Sequence, residues 1–230
     1  MASKGSTGRS FVIRIAVESR TEDILEFHKR HATEFLWPRS LEQIEEYANE
    51  ERLFEVIEVN ENEDELVGLC YIAHGEEPDP PNAERDEFGG VFTTEDCRGH
   101  GIASALGIIA ISNYFAWDPP SGRLIAHVHE DNPLPRGVLQ KYLGFFQNGH
   151  EIPPAAQVPK SMKKNKGGEV VGHLFEFQRK TLLEFADWIE NFPGTVEGPA
   201  GKSKLRIDLP LTTTHRGIAI ATLRDQGKKK

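Results

Sequence analysis

Apolar positions along the chain fall into short runs of two periods, and the runs alternate. Residues 11–17, rich in β-branched side chains, predict a strand. Residues 24–31 have apolar positions at helical spacing. Thr21 reads as the N-cap of that helix, and the acids Glu22 and Asp23 suit its positive end. Pro38 punctuates. Ser40-Leu41-Glu42-Gln43 then has the form of a capping box, opening a second helix that reaches about residue 51. Residues 53–59 and 66–74 read as strands joined by the acidic stretch 60–65, a solvated hairpin tip. Residues 76–85 contain three prolines and four acids and form a loop. A strand over 87–94 follows, and Gly89-Gly90 inside it marks a bulge. Residues 104–115 predict a helix and 123–129 a strand. A short helix then leads from Asn132 towards Leu143-Gly144-Phe145. Strands are expected at 146–152 and 172–178 around a long loop at 153–170, and a helix at 182–189. The remainder reads as a Gly/Pro-rich linker over 193–204, strand-like stretches at 205–211 and 218–223, and the tail Lys228-Lys229-Lys230.

Composition narrows the class. A chain of 230 residues supports one well-cored domain with extensions. Its 38% hydrophobic and 27% charged residues fit a soluble globular protein. The most apolar stretch, 102–117, is too short to span a bilayer. Residues 1–10 are small and polar with no apolar leader, so a cytoplasmic protein with a flexible start and no membrane partner is expected. The two cysteines, Cys70 and Cys97, make no disulfide framework and have no metal-ligand spacing, so no metal is expected. Cys97 abuts the chain's most distinctive loop; a small side chain there is the plainer reading than a nucleophile. The net charge of −9 disfavours nucleic acid and favours cationic partners such as amines, although ordinary solubility gives the same balance. The lysines at 160, 163, 164 and 166 are the local argument in the other direction.

That loop is Arg98-Gly99-His100-Gly101-Ile102-Ala103, set between a predicted strand and a predicted helix. Its glycines let backbone approach a ligand closely. The first turn of a helix leaves N–H groups without partners, and with the helix dipole they form an anion site. No Lys-Ser or Lys-Thr follows, so this is not a nucleotide P-loop. An arginine before the first glycine supplies a phosphate-pairing cation. Downstream come the strand at 123–129, Asn132, a short helix and Leu143-Gly144-Phe145. The loop and this sequel together resemble the GNAT superfamily of acetyl-CoA-dependent N-acetyltransferases, whose pyrophosphate loop reads Arg/Gln-x-x-Gly-x-Gly/Ala.

The resemblance implies an α+β fold: a central mixed, mostly antiparallel sheet, splayed between its fourth and fifth strands and flanked by helices. It assigns residues 11–178 to the acetyltransferase domain and leaves 179–230 as a C-terminal helix plus an extension of unknown role, which could form a hairpin, pair with a second subunit in a homodimer, or be partly disordered. Acetyl-CoA would be held by Val91, Phe92 and Thr93 of the fourth strand, by Arg98, Gly99, His100, Gly101, Ile102, Ala103 and Ser104 of the loop, and by Asn132. Glu87 stands where several members carry a catalytic glutamate. His127 and His129 share one strand face and offer a proton relay or a polar patch without a role. The implied activity is direct transfer of acetyl to a primary amine on a small molecule, an antibiotic or a protein. A non-catalytic acyl-CoA sensor and a toxin-type aminoacyl-tRNA acetyltransferase are the alternatives. One departure stands out. Many members carry a tyrosine as general acid four residues before the Leu-Gly-Phe glycine. Here that slot holds Gln140, or Leu139 by a one-residue shift, and Tyr142 is out of register. Phe35 and Trp37, between the first two helices, border the expected acceptor site.

Overall fold

Alternation along each strand decides which layer a side chain joins, and here it sorts the apolar residues into two cores on opposite faces of one sheet. The structure, a computed structural model, describes residues 8–61, 63–74, 85–117, 122–152, 158–213 and 215–229. Residues 1–7 of the expected flexible start over 1–10, residues 76–84 of the proline-rich loop expected over 76–85 and residues 153–157 of the long loop lie outside the described residues.

In chain order the elements are β1 (Ser10–Ile15), α1 (Thr21–Arg30), α2 (Leu41–Asn49), β2 (Leu53–Glu58), β3 (Glu65–His74), β4 (Arg85–Thr93), α3 (Ile102–Trp117), β5 (Arg123–His129), α4 (Pro133–Tyr142), β6 (Phe145–Glu151), β7 (Gly172–Phe177), α5 (Thr181–Glu190), β8 (Thr195–Gly198), β9 (Gly201–Asp208) and α6 (Arg216–Gln226). Among the described residues nine strands form one sheet in the order β6-β7-β5-β4-β3-β2-β1-β9-β8. Among the described residues β1–β9 and β4–β5 pair in parallel and the other neighbours antiparallel, as expected of a mixed, mostly antiparallel sheet.

On one face Phe11, Ile13, Phe54, Val56, Ile72, Phe88, Leu124, Ala126 and Val128 meet α3, α5 and α6. α3 is buried nearly all round, which is why it has no polar stripe. On the other face Leu53, Leu69, Tyr71 and Ala73 meet Ile24 and Phe27 of α1 and Ile44 and Tyr47 of α2. The capping box opens α2: the Gln43 N–H donates to Ser40 Oγ at 3.3 Å, and the Ser40 N–H donates to Gln43 Oε1 at 3.1 Å. Thr21 does not cap α1. It is the first helical residue, and its hydroxyl donates to the Glu18 carbonyl at 2.9 Å.

The C-terminal segment differs from its sequence reading. The expected linker 193–204 holds β8 and the start of β9, and 218–223 lies inside helix α6. β9 pairs in parallel with β1, from Ser10↔Lys204 to Arg14↔Asp208, and so extends the sheet within one chain.

Candidate active site

β4 and β5 run together for three pairs only, Arg85↔Arg123, Asp86↔Leu124 and Glu87↔Ile125. Beyond Glu87 they part, so β4 from Phe88 to Thr93 has β3 on one edge and, among the described residues, no strand on the other, where the two strands open a gap. The bulge that bends β4 lies where Gly89-Gly90 predicted it. Leu69 pairs with Phe92 but Tyr71 with Gly89, so Gly90 and Val91 face the single residue Cys70. Gly90 has φ +61°, and the Tyr71 ring lies against it: a Cβ at Gly90 would come 2.7 Å from Tyr71 Cδ1. Both constraints exclude a larger residue.

At the far end of β4 the chain turns through the glycine loop into α3. Gly99 and Gly101 have φ +81° and +80°. The Ala105 N–H is the first of the helix to return to the loop, donating to the Gly101 carbonyl at 3.1 Å. Among the described residues the N–H groups of Ile102, Ala103 and Ser104 before it have no partner, as expected at a helix start. Arg98 and Gly99 are exposed, while His100, Gly101, Ala103 and Ser104 are half-buried. Ile102 is buried in the α3-side core. Thr93 is buried, Val91 packs against that same core, and Phe92 meets Phe27 and His31 at ring distances of 5.4 and 5.1 Å on the other face. Asn132 precedes α4, half-buried, its N–H donating to the His129 carbonyl at 2.9 Å.

At the mouth of the opening lies an acid–histidine–acid row. Glu87, His127 and Glu151 come from three strands and project to the same face. Glu87 Oε2 lies 3.4 Å from His127 Nδ1, and Glu151 Oε2 lies 2.9 Å from His127 Nε2. Arg85 pairs with the other Glu151 oxygen at 2.7 Å. The Glu87 side chain is 30% exposed, so solvent or a substrate reaches it. Burial disfavours the charged form of Glu87, but His127, Arg39 and Arg85 outweigh it and hold its pKa below the ordinary 4.5. Burial likewise lowers His127, and Glu87 and Glu151 more than reverse this, leaving its pKa above 6.5. Above Glu87, the Arg39 Nε donates to the Tyr71 hydroxyl at 2.8 Å, and Tyr71 stacks on Tyr47 with centroids 5.0 Å apart. Burial pushes the Tyr47 hydroxyl up to about 12. Asp86, one residue earlier, turns to the opposite face and accepts from the Tyr114 hydroxyl.

His129 is engaged otherwise. Its Nδ1 accepts the Asp131 N–H at 3.1 Å and its Nε2 meets the Lys163 carbonyl at 2.8 Å. Phe35 packs on the His129 ring at 5.1 Å, and the Lys163 ammonium sits 5.3 Å from the Phe35 ring. The Lys163 N–H donates to the Glu34 carbonyl at 2.9 Å, and its ammonium lies 3.2 Å from Asp131. The α1–α2 segment and the β6–β7 loop therefore touch, roofing the same face; Trp37 is half-buried in that segment.

Cys97, Glu58 and Asp96 bring ligand-type atoms within 4.8 Å of one another. A cation already stands among them. The Arg9 guanidinium lies 2.6 Å from Glu58, 2.7 Å from Asp96 and 3.0 Å from Cys97 Sγ. Burial raises the Cys97 thiol pKa, so its environment does not favour a nucleophilic thiolate.

The model of the Acetyltransferase (GNAT) family matches residues 20–145, more than half of the chain. The chain belongs to that family. Membership makes it an acyltransferase. A search of curated protein sequences finds no match. Solved GNAT-type structures share the fold at low identity. NAA60 from Arabidopsis thaliana in complex with a bisubstrate analogue is 16% identical, with a TM-score of 0.52 over 73% of this chain and 97% of that one. Its complex with acetyl-CoA gives 16%, a TM-score of 0.51 and coverages of 73% and 97%. The ribosomal-protein-alanine N-acetyltransferase from Brucella melitensis gives 18%, 0.51, 71% and 97%.

Against the GNAT pattern, both candidates for the acid slot are unfit to give a proton. Leu139 is buried in the core and Gln140 is an exposed amide. Tyr142 is 46% exposed, with Lys141 over its ring at 5.1 Å. Three residues beside Glu87 were not singled out from the sequence: Arg39, Arg85 and Glu151. Glu151 lies 64 positions from Glu87 and reaches it only through the β5–β7–β6 pairing. Among the described residues no helix is long and apolar enough to cross a membrane.

Proposed function

We propose that this protein transfers the acetyl group of acetyl-CoA directly to a primary amine in a ternary complex, with no covalent enzyme intermediate. The observation that carries the reading is the alignment of three features along β4: the acid–histidine–acid row at one end, a single-edged stretch in the middle, and the glycine loop with its helix start at the other. The parts fit the group. The loop N–H groups between Gly99 and Ser104, with Arg98 beside them, suit a diphosphate. The unpaired edge over Val91, Phe92 and Thr93 suits an extended amide-bearing arm, and Asn132 borders the same opening. Bound there, acetyl-CoA supplies the acetyl group.

The remaining chemistry belongs to the chain. Amines are mostly protonated at neutral pH and must lose a proton before attack. Glu87, ionised and reachable, accepts it directly or through one water, and His127 takes it onward at Nδ1. Glu151, anchored by Arg85, fixes the imidazole from the other side. The acidic pair also attracts a cationic amine to the row. The sulfur is reprotonated from solvent, since the tyrosine slot offers no acid. The acceptor is a small amine, an antibiotic or a protein amine, reached beneath the Phe35–Lys163 roof.

An amine panel assayed for acetyl-CoA-dependent thiol release tests the activity. Release with at least one amine, matched by acetylated product in mass spectra, is expected. CoA binding with no release from any amine or N-terminal peptide would make the protein a sensor instead.

A further inference from the structure

The β8–β9 turn lies directly on the glycine loop. The Ala200 N–H donates to the Gly99 carbonyl at 2.9 Å. His100 Nδ1 lies 3.0 Å from Ser203 Oγ on β9, and the His100 ring leans towards Phe11 of β1 at 6.3 Å. A Cβ on Gly198 would strike the Gly99 carbonyl and come 2.8 Å from the Gly101 nitrogen. A Cβ on Gly101 would meet the Glu197 carbonyl at 2.9 Å. The glycines of the loop and of the turn are matched to one another.

The direction of the contact tells what it does. A trans peptide holds its C=O and N–H on opposite sides. The Gly99 carbonyl is committed to the hairpin, so the His100 N–H of the same peptide points away from it. The His100 side chain goes to the hairpin side as well. At the Gly99–His100 peptide the hairpin thus takes the carbonyl side and leaves the N–H side open to an anion, while at Gly101 it packs against the backbone itself. An autoinhibitory mimic would do the reverse, placing its oxygens on the loop N–H groups. Among the described residues no hydrogen bond runs from those groups to Glu197.

We propose that the β8–β9 hairpin is a positioning element of the cofactor loop. Ala200 and Gly198 set the Gly99–His100 peptide in its anion-binding orientation. Acetyl-CoA affinity therefore depends on a segment lying outside the 20–145 stretch that matches the family. This rests on the reading of the loop as the diphosphate site.

The test is calorimetric titration of CoA into the intact chain and into Gly198→Ala and Lys202→Ala, each checked by thermal melting. Gly198→Ala pushes the turn off the loop, whereas Lys202 is exposed on the same hairpin. Gly198→Ala is expected to raise Kd about tenfold at unchanged stoichiometry, with Lys202→Ala like wild type. Equal Kd for Gly198→Ala and wild type overturns the inference and leaves the cofactor site standing. A fall in stoichiometry at constant Kd also overturns it, since that reports a misfolded fraction and not a re-aimed loop. No binding by wild type defeats the cofactor reading itself. Should Gly198→Ala not fold, Ser203→Ala is read by the same criteria, with an expected weakening of about threefold from loss of one hydrogen bond. Gly101 is unsuitable for this test, because a side chain there disturbs the anion site and the hairpin together.

Discussion

Two carboxylates on one imidazole make the Glu87–His127–Glu151 row a proton store whose set point is adjustable by substitution. His127 accepts a proton only when neutral. Its pKa is raised, so the row is loaded at low pH and empties as pH rises through a value above 6.5. Turnover should climb through that value, well separated from the amine's own limb near pH ~10. Glu151→Gln removes one of the two raising influences, and its limb should sit at lower pH; a limb that does not move would count against His127 as the titrating group. Glu87→Gln should cost about a hundredfold in rate at neutral pH and leave CoA affinity alone. Its deficit should shrink at high pH, where the amine arrives deprotonated. A loss constant across pH would mean that Glu87 positions the acceptor and moves no proton. Tyr142→Phe should retain most activity, because the exposed ring lies under Lys141, outside the row; a loss of about a hundredfold would make it the acid despite its register.

At the scale of elements, the bulge and the capping box were readable because each is built from neighbours in sequence. Gly89-Gly90 announced the bend and Ser40 with Gln43 the helix start, and both lie where expected. What could not be read is what depends on distant partners. Residues 218–223, Ile-Ala-Ile-Ala-Thr-Leu, alternate like a strand. In the structure Ala219, Ile220 and Leu223 form the buried side of α6, packed on α3 and α5, and tertiary packing overrides the local pattern. Residues 193–204, around the β8–β9 turn, are Gly/Pro-rich and read as a linker, whereas the strand expected at 205–211 is the latter half of β9, where Leu205 and Ile207 follow Ser203 on the buried side. Tyr71 explains why the bulge needs glycines in particular. Gly90→Val would force the ring aside from a backbone it already touches and place a β-branched residue at positive φ. Destabilisation of at least about 1–3 kcal/mol in urea unfolding is expected. A fully stable variant would show that the bend tolerates a side chain.

For the whole molecule, the family match covers little more than half the chain, yet the core does not stop there. Leu205, Ile207, Leu209, Leu211, Ala219, Ile220 and Leu223 are buried with Phe11, Ile13 and α3. A chain ended at residue 178, where the sequence reading closes the acetyltransferase domain, should be insoluble or molten. Sharp thermal melting of such a fragment would show that the extension is dispensable to folding. Removing the extension would also change what the sheet presents to other molecules. β1, Ser-Phe-Val-Ile-Arg-Ile, would become an outermost strand, apolar and with unpaired backbone groups, a template for strand addition by another chain. In the full protein that border falls to β8, four residues long, with Pro193 before it, Pro199 after it and Glu197 within it. Such a rim recruits poorly. The same residues that brace the loop thus guard the sheet against self-association, and aggregation should rise when they are lost.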